Sequence, residues 1–328
     1  MIYYNEDEFK EQYEKVLSQI PTVLEIVDEI KKHNIKRIFM IGSGGAYTKF
    51  YSIVSYMNKH YCYPVIIEFP SQFQEVYLEN LCSSDLIILG TKTGSTDEIL
   101  SLAKILNKNK NIIVGFIGDD RTPIDNFVHY KIQSYMTDVH LSLLWIFILS
   151  LTNYSDISNF IEEVKLLKND LSDAIKSLSE KANNLVLNNL DKNYQMWISS
   201  GDLFGEVRCF CNYMLEEIQW RKAQYVHSCE FFHGPLEVVD QDISFNIVIN
   251  RDSNREIDLR VANFIKKYGN SLNIIDMKDF ELPNISNKHK KFVDSYSLNI
   301  LFDYLLEIYT NYTNLSSKTR KYYRKVKY

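Results

Sequence analysis

Leu86-Ile87-Ile88-Leu89-Gly90-Thr91-Lys92-Thr93-Gly94-Ser95-Thr96-Asp97-Glu98 passes from four consecutive apolar residues, through seven small or polar ones, into an acidic helix start. An apolar run that stops at glycine and is followed by hydroxyls and then Asp-Glu reads as strand, loop and helix. In an open α/β sheet, ligands gather at the carboxyl ends of strands, so this loop is where a site should form. Its four hydroxyls and one lysine stand where free backbone N–H groups and the helix dipole favour an anion. Thr91, Lys92, Thr93, Gly94 and Thr96 are therefore candidate phosphate contacts. The same stretch also serves as a plain helix cap, with Ser95 or Thr96 capping, and one hydroxyl can cap while the others face a ligand. The spacing of glycine and lysine is not that of a Walker loop, which argues against ATP.

Outward from this loop, short apolar runs alternate with helix-length segments. Arg37 to Ile41, Pro64 to Phe69, Leu86 to Leu89, Ile112 to Ile117 and Tyr130 to Tyr135 are expected strands. Tyr47 to Lys59 and Thr96 to Asn107 are expected helices between them, so βαβ units and a parallel sheet covered on both faces follow. A second set of runs comprises Met196 to Ser199, Tyr225 to Cys229, Phe245 to Ile249 and Leu272 to Ile275. Two similar domains in tandem are the simplest account. The expected organisation is a helical segment over 1–35, a domain over 36–150, a helical connector over 151–190, and a second domain with a C-terminal tail over 191–328. The first strand ends in Ile41-Gly42-Ser43-Gly44-Gly45-Ala46. This is half of a dinucleotide fingerprint without the spaced third glycine or a suitably placed acid. Ser43 and the backbone at Gly44 are its candidate ligand contacts.

Composition narrows the class. The 328 residues carry a net charge of −5 with no basic block, apart from a locally basic end, which argues against nucleic acid as a partner. The start lacks the charged and apolar regions of a signal peptide, so a cytoplasmic protein is expected. Leu141 to Leu151 is too short for a membrane span and reads as a buried helix. The five cysteines form no CxxC pair and are read as reduced packing residues.

One carboxylate and one imidazole carry candidate chemistry. Glu217 lies late in a stretch, Phe204 to Lys222, whose apolar residues recur at three- and four-residue intervals, predicting a half-buried helix. His233 follows a strand-like run and precedes Gly234-Pro235, which displays it on a turn. Together they can move protons between carbon and oxygen on a sugar. On spacing alone, a solvated helix face and a hydrogen-bonded turn account for the two residues more simply. His227 and Glu230, close in sequence, are candidates to orient a substrate group or the His233 ring. Glu216 is expected on a solvated face.

The loop Gly90–Glu98 resembles the Ser-x-Ser-Gly-x-Thr-x-Glu phosphosugar loop of sugar isomerase (SIS) domains. Glu217 with His233-Gly-Pro resembles the isomerase half of glucosamine-6-phosphate synthase. Glu217-Ile218-Gln219-Trp220, Glu230-Phe231-Phe232-His233-Gly234-Pro235-Leu236-Glu237 and the basic ending Arg320-Lys321-Tyr322-Tyr323-Arg324-Lys325-Val326-Lys327-Tyr328 are most similar to fructosamine-6-phosphate deglycases. The resemblance implies an α/β protein of two tandem SIS domains, each a doubly wound parallel sheet flanked by helices. It implies hydrolysis of a phosphorylated Amadori compound, such as fructoselysine 6-phosphate, to glucose 6-phosphate and an amino acid. Glu217 would be the base and His233 the ring-opening group, with no metal or organic cofactor required. It further implies a homodimer with sites at the subunit interface, and a tail that folds over the site. Met214 stands where the synthase pattern has lysine, which weakens the synthase reading. An amino-sugar phosphate deaminase or isomerase and a non-catalytic sugar-phosphate regulator remain the alternatives.

Overall fold

The computed structural model describes residues 5–135, 137–239, 242–323 and 325–327. Residues 7–166 form one compact unit and the chain from 167 onward forms the other.

The first unit opens with α1 (Glu6–Leu17) and α2 (Ile20–Lys31). The chain then alternates through β1 (Arg37–Gly42), α3 (Gly45–His60), β2 (Val65–Glu68), α4 (Pro70–Val76), β3 (Asp85–Thr91), α5 (Asp97–Leu106), β4 (Ile112–Ile117), β5 (Tyr130–Gln133) and α6 (Leu141–Leu151). The strands pair in parallel in the order β2-β1-β3-β4-β5. Alternate residues leave opposite faces of a strand, so a sheet buried on both sides needs continuous apolar runs. One face carries Phe39, Ile41, Ile87, Leu89, Ile113 and Ile117, packed with Phe73 of α4 and Leu102 and Leu106 of α5. On the other, Phe116 meets Phe147 of α6 edge to face at 5.8 Å. All eleven residues of α6 are buried, as a helix without a polar face requires. Among the described residues no helix is long and apolar enough to cross a membrane.

His140, at the N-cap of α6, is buried with its ring edge 6.0 Å from Tyr13. Burial, helped by the charge of Lys49, pushes its imidazole down to about 3. The neutral form is favoured in the folded state alone, so its contribution is complete above the ordinary histidine value. It is lost as pH falls towards 3, because the unfolded chain takes up the proton first. At one pKa unit per ~1.4 kcal/mol, acidification from pH 7 to 5 is expected to cost about 2 kcal/mol. Thermal unfolding across that range checks this: His140→Gln should flatten the dependence, and an unchanged slope would assign it to other groups.

α7 (Ile157–Leu190) contains the boundary between the units. The second unit continues with β6 (Tyr194–Ser199), α8 (Phe204–Cys209), β7 (Lys222–His227), β8 (Ile243–Ile249), α9 (Arg255–Tyr268), β9 (Leu272–Asp276) and α10 (Asn287–Thr313). The sheet is again parallel, ordered β7-β6-β8-β9. Met196, Ile198, Phe245, Ile247 and Ile249 pack with Val261 and Ile265 of α9. On the opposite face Trp197 lies edge-on to Phe210 at 4.8 Å, and Phe210 stacks on Phe302 of α10 at 4.3 Å. The α/β class and the two doubly wound parallel sheets are as the sequence indicates.

One expected element differs. Phe204 to Lys222 is not a single α-helix: α8 ends at Cys209, Phe210–Glu216 is a π-helix, and Lys222 already begins β7. Phe210 and Cys211, both buried, open the wider turn.

Candidate functional site

The order β2-β1-β3-β4-β5 reverses direction between β1 and β3, and the crevice beyond their carboxyl ends is the expected ligand position. Two loops meet this description: Ser43-Gly44 before α3, and Lys92–Thr96 before α5. At the first, the Asp138 carboxylate borders the turn into the helix, 2.3 Å from where a Cβ on Gly45 would lie.

The second loop is braced from both sides. Gly118 N–H donates to Thr91 O at 3.0 Å and Asp119 N–H to Lys92 O at 2.7 Å. Gly94 N–H donates to the buried Thr91 Oγ1 at 3.1 Å. Gly94 has φ +58°, and a Cβ there would lie 2.7 Å from Thr122, so both conformation and space demand glycine. Thr93 and Ser95 hydroxyls pair at 2.8 Å. Thr96 is the N-cap by backbone conformation but its hydroxyl does not cap, and neither does that of Ser95. The expected side-chain cap is thus absent, because the Thr93–Ser95 pair and the braced backbone set the loop's shape instead. Among the described residues the side chains of Ser43, Lys92 and Thr96 have no hydrogen-bond or ion-pair partner, and Ser43 and Lys92 are exposed. The loop is a braced backbone turn carrying one hydroxyl, that of Thr96, and one cation, Lys92, that no described residue engages.

In the second unit Glu217 caps the π-helix, its N–H donating to Asn212 O at 3.2 Å. Its side chain is 27% exposed. Arg320 holds it from the C-terminal tail: Nε donates to Oε1 at 3.1 Å, and Nη2 lies 3.0 Å from the same oxygen as an ion pair. Among the described residues nothing hydrogen-bonds Oε2. Glu216 beside it is exposed. The next residues also grip the tail. Gln219 Nε2 donates to Leu315 O at 2.7 Å, Thr313 Oγ1 donates to Gln219 Oε1 at 2.7 Å, and Lys321 Nζ lies 4.1 Å over the Trp220 ring. Trp220 has φ +54°, uncommon for a large side chain, and this sharp turn delivers the chain into β7.

His233 is exposed on a tight turn after β7, its N–H donating to Glu230 O at 2.8 Å. No hydrogen bond joins its ring to Glu217 or to any other described residue. Glu230 is also exposed. His227 is bound into the ends of β6 and β7: Nδ1 accepts from Cys229 N–H at 3.2 Å, and the ring meets Phe204 edge-on at 4.9 Å. A neutral imidazole accepts through one nitrogen, so the longer 3.4 Å approach of Gly201 N–H to Nε2 is packing.

The sequence places Gln219 in a motif and Arg320 in a tail that the resemblance folds over the site, but pairs neither with a partner. The adjacent Glu-Ile-Gln-Trp motif was the available signal, since three of its four side chains read the tail. Among the described residues no cluster of three His, Cys, Asp or Glu could hold a metal ion.

Two parallel sheets of this order, each with loops at its carboxyl edge, make this a protein of the tandem sugar isomerase (SIS) fold. A structure described as a phosphosugar isomerase from Bacillus subtilis superposes with a TM-score of 0.88 at 20% identity, covering 96% of this chain and all of that one. Among curated proteins, the chain is similar to fructosamine deglycase FrlB of Bacillus subtilis, 23% identical over 322 residues, covering 92% of this chain and 95% of the relative. It is also 23% identical over 326 residues to fructoselysine 6-phosphate deglycase of Escherichia coli K12, covering 95% and 93%. No protein-family model matches the chain.

Proposed function

We propose that this protein is a fructosamine-6-phosphate deglycase that converts a phosphorylated Amadori compound and water to glucose 6-phosphate and an amino acid. The observation that carries this reading is the half-buried Glu217 carboxylate, held through one oxygen with no described residue bonded to the other. The likeness to deglycases along more than nine tenths of the chain supports it.

The 6-phosphate sits at the β3–α5 loop, where Lys92, Thr93, Thr96 and Ser43 with backbone N–H groups hold it, and Thr91 and Gly94 shape the turn. This fixes the reacting carbons and supplies no chemistry itself. His233 opens the ring by moving a proton between oxygens. Glu217 takes a proton from C1 and returns it at C2, so that the ketoamine becomes the imine of glucose 6-phosphate through an enaminol. Water adds to C1 of the imine, the C1–N bond breaks, and the amine leaves protonated. The exposed, unbonded His233 suits a site completed across the interface of a homodimer.

Incubation with a panel of fructosamine 6-phosphates tests the reading. Release of glucose 6-phosphate in step with free amino acid is expected. Ammonia release from glucosamine 6-phosphate would point to deamination instead, and turnover of no panel member would sink the substrate class.

A further inference from the structure

We infer that Arg320 is a positioning residue for Glu217, so that the C-terminal tail belongs to the proton-transfer machinery rather than merely covering it. The inference rests on Glu217 being the base proposed above. A guanidinium ordinarily meets a carboxylate with two parallel bonds, one to each oxygen. Here Nε donates to Oε1 at 3.1 Å and Nη2 lies 3.0 Å from the same oxygen as an ion pair, and Oε2 is left without a protein partner among the described residues. A side-on grip of this kind fixes the carboxylate plane and leaves one oxygen to receive a proton.

The grip is held from behind. Arg320 is 16% exposed and its Nη1 also donates to Thr319 O at 3.2 Å, which sets the direction of the guanidinium. Thr319 in turn closes a turn with Ser316, its N–H donating to Ser316 O at 2.8 Å. Gln219 fastens Leu315, and Lys321 stacks over Trp220. Gln219 and Trp220, just after Glu217, and residues on both sides of Arg320 therefore fix the tail in register. An arginine that served only to pair with a substrate would need none of this, and would not turn its Nε and Nη2 towards one oxygen of the base.

Misplacing a reacting group by about 1 Å costs on the order of 10²-fold in rate. Arg320→Ala should therefore lower kcat on a fructosamine 6-phosphate by about 10²-fold with KM changed by less than about threefold. Arg320→Lys should lie between, since one ammonium cannot reproduce the fork. Guanidinium at millimolar concentration should restore part of the Arg320→Ala rate and leave wild type unaffected. A rise in KM at unchanged kcat, or wild-type kinetics in both variants, overturns the inference. A second arm needs no activity. Trypsin cleavage after Lys318 and Lys321 should be markedly faster in Glu217→Ala than in wild type. If wild type turns over no substrate, the deglycase reading fails by itself, and equal cleavage rates would then overturn the pairing as well.

Discussion

Glu217→Gln is expected to lower turnover of a fructosamine 6-phosphate by about 10³-fold while the protein remains folded with its tail docked. Gln has the shape of Glu, and its Oε1 can still accept from Arg320 Nε, while Gln219 and Trp220 keep their own contacts with the tail, so the segment stays ordered. Only the ability to take a proton from carbon is removed. General acid–base groups supply roughly 10² to 10⁴ in rate, and the base that breaks a C–H bond lies high in that range. His233→Ala should cost less, about 10²-fold, because water can move protons between oxygens more readily than from carbon. If the site is completed across a twofold dimer, the two inactive variants complement each other. Half of the mixed dimers are hybrids with one intact site of two, so about a quarter of wild-type activity should return on mixing. Full activity in Glu217→Gln would end the mechanism, and a mixture no better than its parts would place both groups in one subunit.

The elements were legible where local pattern determines structure. Ile112–Ile117 is a strand over the expected residues, and Leu141–Leu151 is a helix over the expected ones, because continuous apolar runs leave little choice once length is fixed. The π-helix over Phe210–Glu216 was not legible, since a three- and four-residue repeat fits an α-helix equally well and only the Trp197–Phe210–Phe302 packing shows otherwise. At the candidate site, Thr91 and Lys92 stood out by composition, yet the loop's backbone is held by Gly118 and Asp119 and its shape by Thr122, more than twenty residues away. Arg320 reaches Glu217 across 103 residues. No spacing rule spans such a distance, so the pair became visible only when the tail was folded.

Asp258 gives the second large effect, and for a related reason. Read along α9 it is one acid in the first turn of an amphipathic helix, where the dipole favours it. In space it is fully buried and joins the ends of three strands. Oδ1 accepts from Ser200 Oγ at 2.7 Å, beyond β6, and from Ser228 Oγ at 2.6 Å, beyond β7. Oδ2 accepts from Asn250 N–H at 3.0 Å and Nδ2 at 2.8 Å, beyond β8. The order β7-β6-β8-β9 reverses between β6 and β8, so this carboxylate lies at the switch point of the second sheet, where an open α/β sheet would take a ligand. The loop's two arginines are consumed as well, Arg251 by Asp294 at 2.9 Å and Arg255 by Asp276 at 2.6 Å. Among the described residues the first sheet leaves Ser43 and Lys92 without partners at the equivalent place; the second fills it with its own carboxylate and so stiffens the loop that leads to His233. Asp258→Ala takes the acceptor from three buried donors, the Ser200 and Ser228 hydroxyls and Asn250 N–H, and should destabilise this unit by about 3–5 kcal/mol, lowering its unfolding midpoint by about 10 °C. Asp258→Asn should recover part of this, because one oxygen still accepts while its NH₂ faces other donors. Thermal unfolding followed through Trp197 and Trp220 reads the change, and a midpoint within 2 °C of wild type in Asp258→Ala would show that water replaces the carboxylate at no cost.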